Sequence, residues 1–329
     1  MAVFLGHGAG TGSRMDEEER AAPKDDIAFD RTPTGPAGEV QQVSPLVRRL
    51  IAPNAGPFTF TGTCTYIVGR GQVAVIDPGP PDGEHIARIL AAVQGEELVC
   101  VMATHTHRDH SPAAAVLRAA TGAKVIGCAP FAARGGQEAA RAQDIDYAPD
   151  QVLADGESVR GDGFTLTALA TPGHASNHLA FALPEEQALF SGDHVMGWST
   201  TVIAPPDGNM AAYMGSLERL RVRTDLIYWP GHGGPIREPQ RFVRALASHR
   251  RYREALILAR LNAGDRTLDS IVERLYARLD PRLRGAAARS VLAHLEDLVE
   301  RGLASCEGPP RLDGVFAPGP MKYAPQPRA

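Results

Sequence analysis

Lysine is almost missing from this chain. Lys24, Lys124 and Lys322 are the only three among 34 basic residues, so arginine carries nearly all the positive charge. With abundant alanine this points to a GC-rich coding sequence and says nothing about chemistry. Cysteine is also scarce: Cys64, Cys100, Cys128 and Cys306 are scattered and form no C-x-x-C pair. That excludes a disulfide framework and fits a reducing, cytoplasmic setting. No apolar run approaches a membrane span. Residues 2–5 are too short for the apolar core of a signal peptide, and residues 16–19 are acidic. A formal net charge of -4 gives no global attraction to nucleic acid or to a membrane surface. No internal repeat is visible.

What is present is a dense cluster of metal-binding side chains. Residues 104–112 read T-H-T-H-R-D-H-S-P, which places His105, His107, Asp109 and His110 within six positions. The run before it, residues 98–103, is apolar and of strand length, and residues 111–120 read as a helix with Ser111 as its cap. The cluster therefore falls where a strand hands over to a helix, the edge at which α/β proteins bind ligands. Alternation along an extended segment turns His105 and His107 to one side, while Asp109 and His110 could reach a second ion. Three further motifs follow in order, each after a strand-like run: T-P-G-H at 171–174, S-G-D-H at 191–194 and P-G-H-G at 230–233.

Together these motifs resemble the signature of the metallo-β-lactamase superfamily. The resemblance implies an α/β fold, a four-layer αβ/βα sandwich, with two metal ions in one cleft. It implies that His105, His107 and His174 hold the first ion, that Asp109, His110 and His232 hold the second, and that Asp193 bridges them. Zinc is the expected metal for such a set, with iron and manganese as alternatives. Two such ions share a hydroxide that serves as nucleophile, with Asp109 orienting or deprotonating the attacking water. Asp77 matches the early D-x-G motif, in which the carboxylate supports the metal loop without ligating. Histidine at position 107 departs from the glutamate of flavodiiron oxidoreductases, and Asp193 departs from the cysteine of antibiotic-destroying enzymes.

Within the superfamily the chain is most similar to the beta-lactamase-like protein 2 group. The stretch A-P-N-A-G-P-F-T-F-T-G-T-C-T-Y at 52–66 and G-D-H-V-M-G-W-S-T-T-V-I at 192–203 carry that likeness, which spans roughly residues 43–306. Cys64 stands where asparagine is expected, which bears on substrate contacts. Only 38 residues separate Asp193 from His232, too few for the insertion of mRNA 3′-end-processing nucleases.

The remaining pattern predicts four segments. Residues 1–40, rich in glycine, proline and charge, read as a disordered extension. Residues 41–240 read as the catalytic domain. It includes a hairpin over 63–77, an amphipathic helix over 84–93 that leaves His85 in solvent, and a surface helix or mobile insertion over 131–146. Residues 241–306 carry three helices and a short strand, which resemble the C-terminal winged-helix domain of the group. Residues 307–329 read as a loosely held tail. From 245 to 306 there are eleven arginines against eight acids, too small an excess to indicate a DNA-reading face. Closing the cleft or making a homodimer contact is at least as good a role for this domain.

Two other histidines need placing. His178 follows His174 by four residues and begins a strand, so it could donate to a substrate phosphate or leaving group and is the second catalytic candidate beside Asp109. His194 reads as supporting rather than ligating. His249 and His294 lie on C-terminal helices and read as structural or solvated. The expected function is metal-dependent hydrolysis, with a phosphodiesterase acting on single-stranded RNA as the first reading. A small-molecule acyl hydrolase (thioester, lactone or lactam) is the second, and a non-catalytic nucleic-acid-binding module the third.

Overall fold

A computed structural model describes residues 27–132 and 140–320. A seven-stranded sheet runs in chain order: β1 (Gln41–Gln42), β2 (Val47–Ile51), β3 (Cys64–Arg70), β4 (Gln72–Ile76), β5 (Glu97–Ala103), β6 (Lys124–Gly127) and β7 (Gln151–Val152). A five-stranded sheet has the order β12 (Ile227–Pro230), β11 (Ala188–Gly192), β10 (Leu179–Leu183), β9 (Phe164–Ala170) and β8 (Ser158–Gly161).

The five residues of β10, all buried, show why the two sheets stack. Alternate side chains point to opposite faces. Leu179, Phe181 and Leu183 therefore join Tyr66, Val68 and Ile76 in a core between the sheets. Ala180 and Ala182 turn the other way, towards helices α3 (Met210–Arg221) and α4 (Pro239–Asn262). On the far side, α1 (Gly83–Ala92) and α2 (Ala113–Thr121) cover the first sheet with Ile86, Ile89 and Leu117. The result is the expected four layers.

The order of layers also brings the motifs to one edge. Strands β4, β5 and β6 run parallel, and so do β11 and β12, while β9 is antiparallel to β10 like β11. The carboxyl ends of β4, β5, β9, β11 and β12 thus deliver Asp77, the 104–112 loop, His174, Asp193 and His232. Backbone bonds stitch the loops across the gap between sheets: Leu179 N–H to the Thr104 carbonyl at 2.8 Å, and Cys64 N–H to that of Gly231 at 2.8 Å.

A third core lies at the C-terminus. Helices α5 (Leu268–Leu275) and α6 (Arg284–Glu300), with the ribbon β13 (Ala304–Cys306) and β14 (Phe316–Pro318), form the winged-helix unit. Thr267 caps α5 through a reciprocal bond pair with Ser270. Helix α4 belongs to both bodies: Val243 and Leu246 pack on the catalytic core, Ile257 and Leu261 in the third.

Four sequence expectations need correction. Ser111 does not cap α2; its hydroxyl donates to Asp144 at 2.8 Å, and Pro112 occupies the cap position. His85 is not solvent-exposed but buried, with Nε2 at 2.9 Å from the Thr65 hydroxyl. The supposed tail from 307 contributes β14, and Phe316 is fully buried in the third core. The supposed extension is ordered from residue 27, where Ile27 and Phe29 pack on the second core and Phe29 sits edge-on to Phe242. Residues 1–26 and 321–329, and the middle of the expected 131–146 insertion, lie outside the described residues.

Candidate metal centre

Four of the five rings at the centre are aimed by a bond at the far nitrogen. Asp77, at the end of β4, accepts from Thr104 N–H at 2.7 Å with Oδ1 and from the Thr104 hydroxyl at 2.9 Å with Oδ2. A carboxylate can only accept, so the Thr104 hydroxyl is spent as a donor. It must then accept from His105 Nδ1 at 2.9 Å, which leaves His105 Nε2 with its lone pair outward. The same Asp77 Oδ2 accepts from His110 Nδ1 at 3.0 Å. His174 Nδ1 donates to the Val202 carbonyl at 2.8 Å, and His232 Nδ1 to that of Gly62 at 3.3 Å. Four imidazoles therefore present Nε2 to the cleft. His107 is reversed: its Nδ1 lies 2.8 Å from His105 Nε2 and 3.0 Å from His174 Nε2.

These lone pairs converge on two points. His105, His107 and His174 form one group, and Asp109, His110 and His232 another. Atoms about 2.0–2.1 Å from a tetrahedral zinc lie about 3.3 Å from one another. In the second group, His110 Nε2 to His232 Nε2 is 3.3 Å, and Asp109 Oδ2 lies 3.3 Å from His232 Nε2 and 3.5 Å from His110 Nε2. Asp193 stands between the groups, with Oδ1 3.5 Å from His110 and Oδ2 3.4 Å from His232 and 3.6 Å from His174. The six contacts to carboxylate or facing imidazole suit ligand-to-ligand edges around an ion better than hydrogen bonds.

The electrostatics agree. Burial drives His105 and His107 towards the neutral form, His107 down to about 3, helped by neighbouring imidazoles. Burial also disfavours charge on His110 and His232, but there the Asp109 and Asp193 carboxylates prevail, and His232 is pushed up to about 10. The two carboxylates are held ionised against their own burial by those same imidazoles. Two ionised carboxylates, Asp193 buried and Asp109 partly so, thus demand positive charge between the rings. Asp193 Oδ1, moreover, is buried with no hydrogen-bond partner among the described residues. The residues present fit a pair of cations.

His178 is the exception among the candidates. It is 1 % exposed; its Nδ1 bonds the Thr171 hydroxyl at 2.8 Å, and its Nε2 accepts from Asp193 N–H at 3.2 Å. With both nitrogens used inside the protein it cannot donate to a substrate, and its role is to seat the backbone of Asp193. His194 joins neither group; it is buried against the Tyr213 ring at a centroid distance of 4.5 Å. His294 is buried and His249 half-buried on their helices, away from the cleft. Cys64 is fully buried, its Sγ 3.6 Å from the Gly233 carbonyl, so it touches no substrate.

The cleft above the centre has a volume of about 790 Å³ and reaches down to His107, Asp109, His174, Asp193 and His232. Apolar side chains make up much of its wall: Phe58, Pro80, Met196, Val202, Ala204, Pro205 and Pro206. Several of its determinants are absent from the sequence reading. The Val202 and Gly62 carbonyls are backbone groups with no residue signature. Gln143 is buried and ties the metal loop to the cleft wall, accepting from Thr106 at 2.8 Å and donating to Asp207 at 3.2 Å. Thr63, which reaches Asp109 Oδ2 at 3.4 Å, lies in the stretch 52–66 that carried the group likeness.

Comparison with known proteins gives a consistent picture. Residues 58–232 match the Metallo-beta-lactamase superfamily family, and residues 267–309 match the Beta-lactamase associated winged helix domain. The chain is 30% identical over 270 residues to the Beta-lactamase-like protein 2 homolog of Caenorhabditis elegans, covering 80% of this chain and 88% of that protein. It is 31% identical over 260 residues to an Atrochrysone carboxyl ACP thioesterase of Aspergillus fumigatus, covering 73% and 76%. A beta-lactamase domain protein from Burkholderia ambifaria shares the fold, with a TM-score of 0.73 at 22% identity over 92% of this chain and 98% of that one. Among the described residues, no helix is long and apolar enough to cross a membrane.

Proposed function

From the premise that the chain belongs to the metallo-beta-lactamase superfamily and is a metal-dependent hydrolase, we propose that it hydrolyses a thioester or ester with an apolar acyl group. The observation that carries this reading is the apolar wall of Phe58, Met196, Val202, Ala204, Pro205 and Pro206 directly above the His/Asp centre. Such a wall takes hydrocarbon from water. The thioesterase named among the relatives adds support.

His105, His107 and His174 would hold one ion, Asp109, His110 and His232 the other, with Asp193 between them; zinc suits this donor set. When bound, such ions polarise a carbonyl oxygen and make hydroxide available near neutral pH. The protein's own residues do the rest. Asp109, kept ionised and 28% exposed at its side chain, faces the cleft and accepts a hydrogen bond from the attacking water. Water oxygen bonds to the acyl carbon, the C–S or C–O bond breaks, and the water's proton leaves with the thiol or alcohol. The apolar wall holds the acyl chain and keeps bulk water out.

The RNA reading rested on His178 touching a phosphate and on the winged-helix tail; with His178 buried, the first of these supports is gone. The test sets thioester and ester panels beside an end-labelled single-stranded RNA, using zinc-loaded protein, a chelator-stripped sample and His107→Ala. Thioester turnover that vanishes in both controls supports the proposal. RNA cleavage without turnover of any acyl substrate would sink it.

A further inference from the structure

One buried stripe of α4 carries Val243, Leu246, Arg250, Ile257 and Leu261. Helical spacing puts all five on the same face. Val243 and Leu246 fill the second core, Ile257 and Leu261 the third, and an arginine stands where the two meet. Arg250 is 4 % exposed, with its guanidinium 5.3 Å from the centre of the Tyr213 ring. Its Nε is buried with no hydrogen-bond partner among the described residues. Burying a charge with a donor unused is costly, and an apolar residue of similar length often fills such a place as well or better. Packing does not explain Arg250.

What it holds does. Arg250 Nη2 donates to the carbonyl of Thr201, in a segment, residues 201–204, that belongs to neither sheet. The Thr201 hydroxyl is buried; it donates to the Asp193 carbonyl at 2.8 Å and lies 3.2 Å from that of His194. Tyr213, whose ring Arg250 covers, donates to the same His194 carbonyl at 3.1 Å. The next residue, Val202, accepts from His174 Nδ1 at 2.8 Å. The one after, Ile203, donates its N–H to the Ser290 hydroxyl of α6 at 3.4 Å. Three consecutive residues thus reach Asp193, His174 and the winged-helix unit. No strand ladder fixes them, so these bonds set their place.

We infer that Arg250 is a positioning residue for the metal centre. With Ser290 it clamps segment 201–203, so that the docked C-terminal helices fix the peptide of Asp193 and the ring of His174. The winged-helix unit is then a built-in part of the metal site, not a module tethered beside it. The inference rests on the two-ion reading of the centre and is independent of the acyl substrate.

Chelator competition on the full chain measures zinc affinity in wild type, Arg250→Met, Thr201→Val and the double variant, with folding followed by circular dichroism. Arg250→Met keeps an apolar stem over Tyr213 and removes the donor. Zinc affinity should fall about tenfold, the lower end for loss of a group that orients ligands. Thr201→Val removes the next link and should lose about as much. Both act through one segment, so the double variant should lose little more than either alone, well short of the roughly hundredfold of independent effects. Folded Arg250→Met with wild-type affinity overturns the inference, and so does a double variant whose losses multiply. Should Arg250→Met not fold, Ser290→Ala carries the test by freeing only the Ile203 end. Zinc held about threefold more weakly, the equivalent of one modest hydrogen bond, supports the clamp, and unchanged affinity overturns it. Wild type that binds no zinc would sink the metal reading itself, and this inference with it.

Discussion

Asp77 Oδ2 lies 3.0 Å from His110 Nδ1, and one carboxylate aims ligands of both metal groups, since it also holds Thr104 and through it His105. Partners of this kind set tautomer and ring angle, and their loss typically costs 10–100-fold in metal affinity. In Asp77→Asn the amide nitrogen is a donor facing Thr104 or His110, where only an acceptor fits. Chelator competition should show zinc affinity down about 10–100-fold, with the fold retained by circular dichroism. An unchanged affinity would mean that the backbone alone aims these rings.

His178 separates a seat for Asp193 from a contact to substrate. His178→Ala opens a cavity and leaves Asp193 N–H without its acceptor, for a loss of about 2–3 kcal/mol in stability. Zinc should be held more weakly, while KM for the preferred acyl substrate at saturating metal stays within about twofold, the range expected of a side chain that lends substrate no binding energy. The opposite pattern, normal stability and metal content with a large change in kcat or KM, would return His178 to the substrate.

Motifs were legible where chemistry and chain are local. The seven candidate ligand positions and Asp77 are spelled out beside strand ends, and alternation in runs such as LAFAL gives the layers directly. What escaped depends on partners distant in sequence. His85 falls on the wetter side of its helix by pattern, but its ring is drawn inward to Thr65, twenty residues away. Ser111 has the right identity and place for a cap, yet Asp144 offers its hydroxyl a better acceptor. Phe316 follows a turn-rich stretch with no periodicity, and only pairing with β13 buries it. His178 looked catalytic because proximity to a site in sequence carries no information about which way a ring faces.

Glu296, half-buried on α6, has its carboxyl pushed up to about 7 from an ordinary 4.5 by desolvation. A folded-state value above the unfolded one means that the folded form binds the proton more tightly. Stability is therefore unaffected below about pH 4.5, falls as pH rises through 7, and stays reduced above it. Glu296→Gln removes the penalty. With half of the group still solvated, the gain is discounted to about 1 kcal/mol at pH 8. Urea unfolding should show the variant ahead of wild type at pH 8 and level with it at pH 4.5. Equal midpoints at both values would mean that Glu296 ionises without cost.

Gly231 precedes His232 and tests how tightly the centre is packed. A Cβ there would lie 2.4 Å from Asp193 Oδ1 and 2.8 Å from His110 Cε1. The backbone cannot retreat, because Gly231 N–H donates to the Gly192 carbonyl at 2.9 Å while its own carbonyl accepts from Cys64. In Gly231→Ala the side chain of Asp193 must therefore swing away from the place between the two groups. Both groups share Asp193, so zinc affinity should fall more than about tenfold and activity with it, as for loss of a ligand or its support. The sheets on either side keep their hydrogen bonds, so the far-ultraviolet spectrum should stay that of the wild type. Full metal content in this variant would show that Asp193 is dispensable as the link between the two ions, and that the three imidazoles of the first group hold their ion without it.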